Sequence, residues 1–230
     1  MVENTLKPMY LAGVDEAGRG PVLGPLVVAG VVLHQDDLPA LVDNGLADSK
    51  LVSKIKREEL YREILSKVID YKVVVIEAID IDTQRAKAIN LNKIELNSFV
   101  DVLQTMKKWS KAYVDACDRN AEKFQLTLQN TVNTNIVAEH FADQKYPVVS
   151  AASIIAKVIR DREIEKYHKE YGVDFGSGYS HDAKTNQFLN DYIAKYGKLP
   201  LVARKSWETS RKAIETFEQA NIDEYFSNAE

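Results

Sequence analysis

The hydrophobic positions along the chain fall into runs of two periods, one near two residues and one near 3.6. Tyr10–Asp15 and Leu26–Leu33 read as strands, parted by the turn signals Gly18-Arg19-Gly20-Pro21 and Gly24-Pro25. The second run is almost wholly apolar, as a strand covered on both faces should be. Ile55, Leu60, Ile64, Leu65 and Val68 recur at helical spacing, and Lys72–Ile79 reads as another strand. Asn92 with Glu95 predicts a capping box before a helix carrying Ile94, Phe99, Leu103 and Met106. A strand over Ala112–Ala116, a helix around Asn120–Asn130, a strand over Asn135–Glu139 and a long helix near Val149–Tyr171 follow. The first half of that helix (Ala151, Ala152, Ile154, Ile155, Val158, Ile159) is apolar almost all round, which predicts a central position.

Strands alternating with helices imply an α/β sheet covered on both sides. From Asp182 onward the pattern is helical only, with Phe188, Leu189, Tyr192 and Ile193, then Trp207, Ile214 and Phe217, and reads as a small helical appendage. The 230 residues are 45% hydrophobic and 28% charged, which excludes collagenous, disordered and membrane classes. The longest apolar run, Pro25–Leu33, is too short to cross a bilayer, and MVENTLKPMY carries no signal-peptide pattern. A single cysteine, Cys117, excludes a disulfide scaffold and a cysteine-based zinc site. The expectation is a cytoplasmic protein. With 30 Lys and Arg against 34 Asp and Glu, the formal charge is −4, which argues against a simple polyanion binder. Phosphate would have to meet local basic patches, such as Lys50, Lys54, Lys56 and Arg57 or Arg204, Lys205, Arg211 and Lys212, or metal ions bridging it to acids.

Four acids stand at or just past the carboxyl ends of strands, where open α/β sheets carry their chemistry. Asp15 and Glu16 close the first strand, Asp115 ends the strand from Ala112, and Asp143 follows the strand ending near Glu139. Such acids serve as helix caps or solvated charges as readily as they serve chemistry. Gathered together, their oxygens suit hard divalent cations shared with a substrate phosphate. Two such ions about 3.5–4 Å apart suit phosphodiester hydrolysis. Adjacent Asp15 and Glu16 point to opposite faces of a regular strand, so both reach one site only if the strand ends or bulges there.

Gly13–Gly30 reads GVDEAGRGPVLGPLVVAG and resembles the N-terminal signature of the type 2 ribonuclease H family, ribonuclease HII. The resemblance continues through Asp48-Ser49-Lys50, Tyr113–Ala116, Ala142-Asp143 with YPVVSAASIIAKVIRDR, Gly176–Tyr179 and RKSWET at Arg204–Thr209. It implies a ribonuclease-H-like mixed β-sheet flanked by helices, with a small C-terminal helical region. It implies hydrolysis of the phosphodiester 5′ of a ribonucleotide, in RNA–DNA hybrids and at single ribonucleotides in duplex DNA, leaving 3′-hydroxyl and 5′-phosphate ends. The family's metal-binding acids fall on Asp15, Glu16, Asp115 and Asp143, which would hold two ions, Mg2+ or Mn2+. Gly18, Arg19 and Gly20 fall on the segment that contacts the junction ribonucleotide. Tyr179 falls on the tyrosine that stacks on the neighbouring deoxyribose, and Lys50 on the Asp-Ser-Lys block. Ser150, Ser153 and Lys157, opening the buried helix, are candidates for a phosphate contact or for capping and packing. The chain departs from the family where relatives read GYPSD and it reads Gly178-Tyr179-Ser180-His181-Asp182, and where His-Lys-Ala-Asp becomes His140-Phe141-Ala142-Asp143. Without that proline, Tyr179 loses a φ restraint.

The last residues are acidic and contain Gln219-Ala220-Asn221-Ile222-Asp223-Glu224-Tyr225-Phe226. This is similar to the peptide by which proteins bind the sliding clamp PCNA, with Gln219, Ile222, Tyr225 and Phe226 in its key positions. A helical turn would gather the last three on one face, for a clamp or for the chain's own helices. The expected organisation is a catalytic domain at 1–175, a helical substrate-binding region at 176–218 and a tail at 219–230. It would act as a monomer on ribonucleotide-containing duplexes. A type 3 ribonuclease H and a non-catalytic hybrid-binding clamp adaptor are the alternatives.

Overall fold

The computed structural model describes residues 9–46 and 52–227, with side chains to residue 220. Five strands, β1 (Tyr10–Ala17), β2 (Leu26–His34), β3 (Asp70–Ile76), β4 (Lys111–Asp115) and β5 (Ile136–Glu139), form one sheet in the order β3-β2-β1-β4-β5. β1 runs antiparallel to β2 and parallel to β4, and β4 runs parallel to β5, so the sheet is mixed. The helices are α1 (Leu38–Asp43), α2 (Lys54–Lys67), α3 (Ala78–Ala86), α4 (Leu91–Thr105) and α5 (Ala121–Val132). They continue with α6 (Ala142–Lys145), α7 (Pro147–Tyr171), α8 (Ala183–Tyr196) and α9 (Glu208–Ser227).

The chain divides into two compact units. The first gathers the N-terminal strand with Val27–Val75 and Asn92–Ile159. Its strands alternate between two cores. Leu11, Val27, Ala29, Val31 and Leu33 pack with α1, α2 and the apolar first half of α7. Ala12, Val14, Val28, Val32, Ala112 and Val114 pack on the other face with Phe99, Val102 and Leu103 of α4 and Phe124 and Leu128 of α5. β2 is buried at every position but His34, as its unbroken apolar run predicts. Where β1 crosses α7 the two backbones touch, since a Cβ on Gly13 would stand 2.1 Å from the Val148 carbonyl oxygen.

The second unit gathers Gly18–Leu26, Ile76–Leu91 and the chain from Arg160. Its core joins Val22, Leu23, Ile164 and Phe175 to Phe188, Leu189 and Ile193 of α8 and to Val202 and Ala203. Both units are discontinuous in sequence. Val22, Leu23, Ile164 and Phe175 are buried among the C-terminal helices, which groups residues 18–26 and 160–175 with them. α9 runs unbroken across residue 218.

Two local expectations are corrected. The strand predicted to reach Ile79 ends at Ile76, and α3 starts at Ala78, where Ala78 and Ile81 are buried at helical spacing and Ile79 is exposed. Asn92 is not a cap but lies inside α4, where its amide donates to Asp118 (2.9 Å), while Glu95 is fully buried.

Candidate active site

In the first unit the site begins with strand register. Val14 stands opposite Val114 at the end of the β1–β4 ladder, so Asp15 and Asp115 follow side by side on the face that α7 covers. Asp15 is 5% exposed and accepts a hydrogen bond from the Glu16 amide (2.7 Å). Burial and the neighbouring Asp115 charge push the Asp15 carboxyl up to about 7, against the pull of the Ser153 hydroxyl, the Glu16 amide and Lys157. Asp115 in turn accepts from the Ala142 amide at 3.0 Å. Asp143, one residue on, is 4% exposed at the start of α6. Three of the four predicted acids thus lie at one edge of the sheet, joined through the Asp15–Asp115 pair and the Ala142 bond.

Glu16 stands differently. The β1–β2 ladder is continuous from Tyr10↔His34 to Ala17↔Val27, with no bulge, so Glu16 alternates to the opposite face from Asp15. It lies beyond the last β4 pair, where on that side no strand separates the two faces. Ser153 and Lys157 lie one turn apart on α7 beside Asp15. Ser150 is 1% exposed and its hydroxyl donates to the Leu46 carbonyl at 2.7 Å, as the packing alternative expects.

Among the described residues, no group of three or more histidine, cysteine, aspartate or glutamate side chains is assembled as a cage for an ion. The donor chemistry nevertheless fits divalent cations. Asp15 and Asp115 are adjacent oxygen donors whose mutual repulsion a cation relieves, and a hard ion completes its shell with water and phosphate oxygens.

The second unit holds the glycine–arginine–glycine turn and Tyr179 together: a Cβ on Gly20 would stand 3.7 Å from Cε1 of the Tyr179 ring. Gly18 has φ +89° and its Cβ position lies 2.5 Å from the Pro25 carbonyl, so only glycine fits. Arg160, buried, donates through Nη2 to the Ser177 carbonyl (3.0 Å) and lies 5.3 Å from the Tyr179 ring centroid. Burial lowers the Arg160 pKa, and Tyr179 and Asp161 oppose this. The missing proline is replaced by hydrogen bonds. The Asp182 amide donates to the Tyr179 carbonyl (3.0 Å), its carboxylate accepts from the Ser177 amide and hydroxyl (2.8 Å each), and Asn186 donates to the Ser180 carbonyl (2.7 Å). His181 is exposed, with its ring 5.3 Å from that of Tyr179.

Two residues here were not singled out from sequence for this work. Arg204, expected in a surface basic patch, is 0% exposed. Its Nε donates to the Gly24 carbonyl (3.0 Å), Nη1 to that of Arg19 (3.0 Å) and Nη2 to that of Gly18 (2.6 Å). Trp207 donates from its indole to the Gly20 carbonyl at 3.1 Å. Their only sequence signal was membership of the RKSWET block. Lys50 lies outside the described residues. Gln219 is exposed; the side chains of Ile222, Tyr225 and Phe226 lie outside the described residues, though α9 brings positions 222, 225 and 226 to one helical face.

A mixed five-stranded sheet with clustered carboxylates at the ends of two adjacent parallel strands defines a nuclease of the ribonuclease-H-like fold. Residues 12–210 match the sequence model of the family Ribonuclease HII. A ribonuclease HII of Methanococcus maripaludis is 48% identical over 218 residues, covering 92% of this chain and 90% of that protein. The crystal structure of the ribonuclease H2 from Pyrococcus horikoshii superposes with a TM-score of 0.85 at 42% identity, over 91% of this chain and 99% of that one. The ribonuclease HII in a PCNA complex from Archaeoglobus fulgidus gives a TM-score of 0.80 at 41% identity, over 87% and 96% of the two chains. This chain belongs to the ribonuclease HII family. It is a ribonuclease H, an endonuclease acting on RNA–DNA, of a metal-dependent kind. Among the described residues no helix is long and apolar enough to cross a membrane.

Proposed function

We propose that the chain cleaves the phosphodiester 5′ of a ribonucleotide, including a single one embedded in duplex DNA, with Asp15, Glu16, Asp115 and Asp143 as its catalytic acids. The observation that carries this reading is the buried Asp15 carboxyl held beside Asp115 at the open ends of β1 and β4. Two divalent ions, Mg2+ or Mn2+, would be held by these carboxylates and supply positive charge to the attacking and leaving oxygens. The protein's own part is to fix the oxygens before substrate arrives. The Glu16 amide orients Asp15, and the Ala142 amide orients Asp115. Lys157 adds a positive charge beside Asp15 that tempers the repulsion and favours a phosphate. The glycine–arginine–glycine turn brings backbone within reach of a ribose, whose 2′-hydroxyl both donates and accepts hydrogen bonds, and Tyr179 offers a ring to the neighbouring sugar.

The tail at Gln219, Ile222, Tyr225 and Phe226 would recruit the enzyme, as a monomer in the cytoplasm, to a sliding clamp. Support comes from the peptide pattern, the helical spacing of those positions and the PCNA complex of the Archaeoglobus relative. Incubation with duplex DNA carrying one ribonucleotide, with and without Mg2+, should give a single Mg2+-dependent nick on the 5′ side of that residue. A nick elsewhere, or one unaffected by chelation, overturns the reading. Capture by PCNA should be lost in Tyr225→Ala with Phe226→Ala, and unchanged capture removes the recruitment role.

A further inference from the structure

Arg204 is wholly buried, and its three described hydrogen bonds go to neutral carbonyls, none to a carboxylate. The nearby Asp82 carboxylate is taken by the amides of Lys205 (2.7 Å) and Ser206 (3.0 Å), which fix the segment leading out of Arg204. A second buried guanidinium, Arg160, also stands near; burial first and then Arg160 pull the Arg204 pKa down to about 9, against Tyr179 and Asp82. The group stays charged at neutral pH. Burying a cation in this way is unfavourable, and apolar side chains of similar volume stabilise a core as well or better. What the guanidinium provides is direction.

Each trans peptide unit sets its N–H opposite its C=O. Arg204 and Trp207 together hold the carbonyls of Gly18, Arg19, Gly20 and Gly24 on their own side. The peptide units after Gly20 and Gly24 end in Pro21 and Pro25, which have no N–H. Of these four units, those after Gly18 and Arg19 do carry an N–H, so the adjacent amides of Arg19 and Gly20 face away from the Arg204 side of the turn. Hydrogen bonding of their carbonyls to a cation also polarises those amides and strengthens them as donors.

We propose that Arg204, seconded by Trp207, is the positioning residue that aims the Arg19 and Gly20 amides at the substrate's ribose and so sets selectivity for a single embedded ribonucleotide. This rests on the reading of the turn and Tyr179 as the junction reader. Lysine cannot replace the fork, because one ammonium does not span three carbonyls in a plane.

The test compares kcat/KM on duplex DNA carrying one ribonucleotide with kcat/KM on a uniform RNA–DNA hybrid, using the full chain. Arg204→Lys should lower the single-site-to-hybrid ratio by about ten- to a hundredfold, the scale of a misplaced contact. Trp207→Phe keeps an aromatic ring but loses the indole N–H and part of the ring area under the Arg204 guanidinium (4.8 Å to the centroid), and should lower the ratio by about threefold. Melting temperatures are measured alongside, because a purely structural loss lowers both activities together and leaves the ratio alone. A cooperatively folded Arg204→Lys with the wild-type ratio overturns the proposal; should that variant not fold, an unchanged ratio in Trp207→Phe does so. Tyr179→Ala separates the layers. If it shifts the ratio and the Arg204 and Trp207 variants do not, the positioning role alone fails; if it does not shift it either, the junction reading itself fails.

Discussion

The amide of Ala142 donates to Oδ1 of Asp115 at 3.0 Å, tying the residue before one acid to the carboxylate of another. The bond needs an oxygen at Asp115, and the proposed cleavage chemistry needs its charge. Asp115→Asn keeps an acceptor and should abolish nicking while melting near the wild type. Asp115→Ala should lose about 1–3 kcal/mol in addition, the cost of an unsatisfied buried donor. Thermal melts of both variants, with a nicking assay, check the pair.

Asp15 makes the metal-free protein sensitive to pH. Its folded pKa, about 7, lies above its ordinary 3.8, so the native state holds this proton more tightly than the unfolded chain does. The resulting stabilisation is complete below about pH 4 and is lost as pH rises through about 7. Asp15→Asn is neutral throughout. It should therefore be more stable than the chelated wild type at pH 8, by on the order of 2–4 kcal/mol, and should flatten the pH dependence of melting between pH 4 and 8.

Divalent ions should act on the same group. A chelated sample is expected to be inactive, and millimolar Mg2+ or Mn2+ should restore nicking and raise the melting temperature. Because binding must displace the Asp15 proton, the rise should shrink as pH falls below about 7. Melting curves at pH 6 and pH 8, with and without the ion, measure the difference.

Phe141 has φ 59° and ψ 34°, a left-handed conformation, with 63% of its surface exposed. Such a geometry costs a bulky residue about 1–2 kcal/mol. Glycine relieves it at a cost of about 0.4–1 kcal/mol through the freer unfolded chain. Phe141→Gly should accordingly melt at or slightly above the wild-type temperature. A drop of several degrees would mean that the ring packs more than its exposure indicates.

The sheet was legible because its signals are local. The apolar run of β2 reads as a strand buried on both faces, and the all-round apolar start of α7 as a central helix; both are so placed. The acids were legible as positions, at the ends of β1 and β4, but not as an arrangement. Only the register sets Asp15 beside Asp115 and turns Glu16 to the other face. Short patterns misled where distant contacts claim the side chain. Asn92 and Glu95 match a cap, yet one bonds Asp118 and the other is buried. The run ending at Ile79 looks continuous, although its last residues already follow a helical period. Arg204 shows the same limit from the other side. A charged residue in a charged stretch looks solvated, and its burial beneath Gly18 and Arg19 depends on chain nearly the whole sequence away.

That distance bears on how the protein is made. Gly18 and the guanidinium that grips its carbonyl are separated by 186 positions. At about 5–20 residues per second, translation leaves them apart for on the order of ten to forty seconds. A nascent polypeptide halted before codon 204 would already contain all four proposed catalytic acids, but the proposed ribose-sensing loop would have no scaffold. Discrimination would thus be acquired later in biosynthesis than the cleavage centre, and products shortened before that point should be poor at telling one nucleotide from the next.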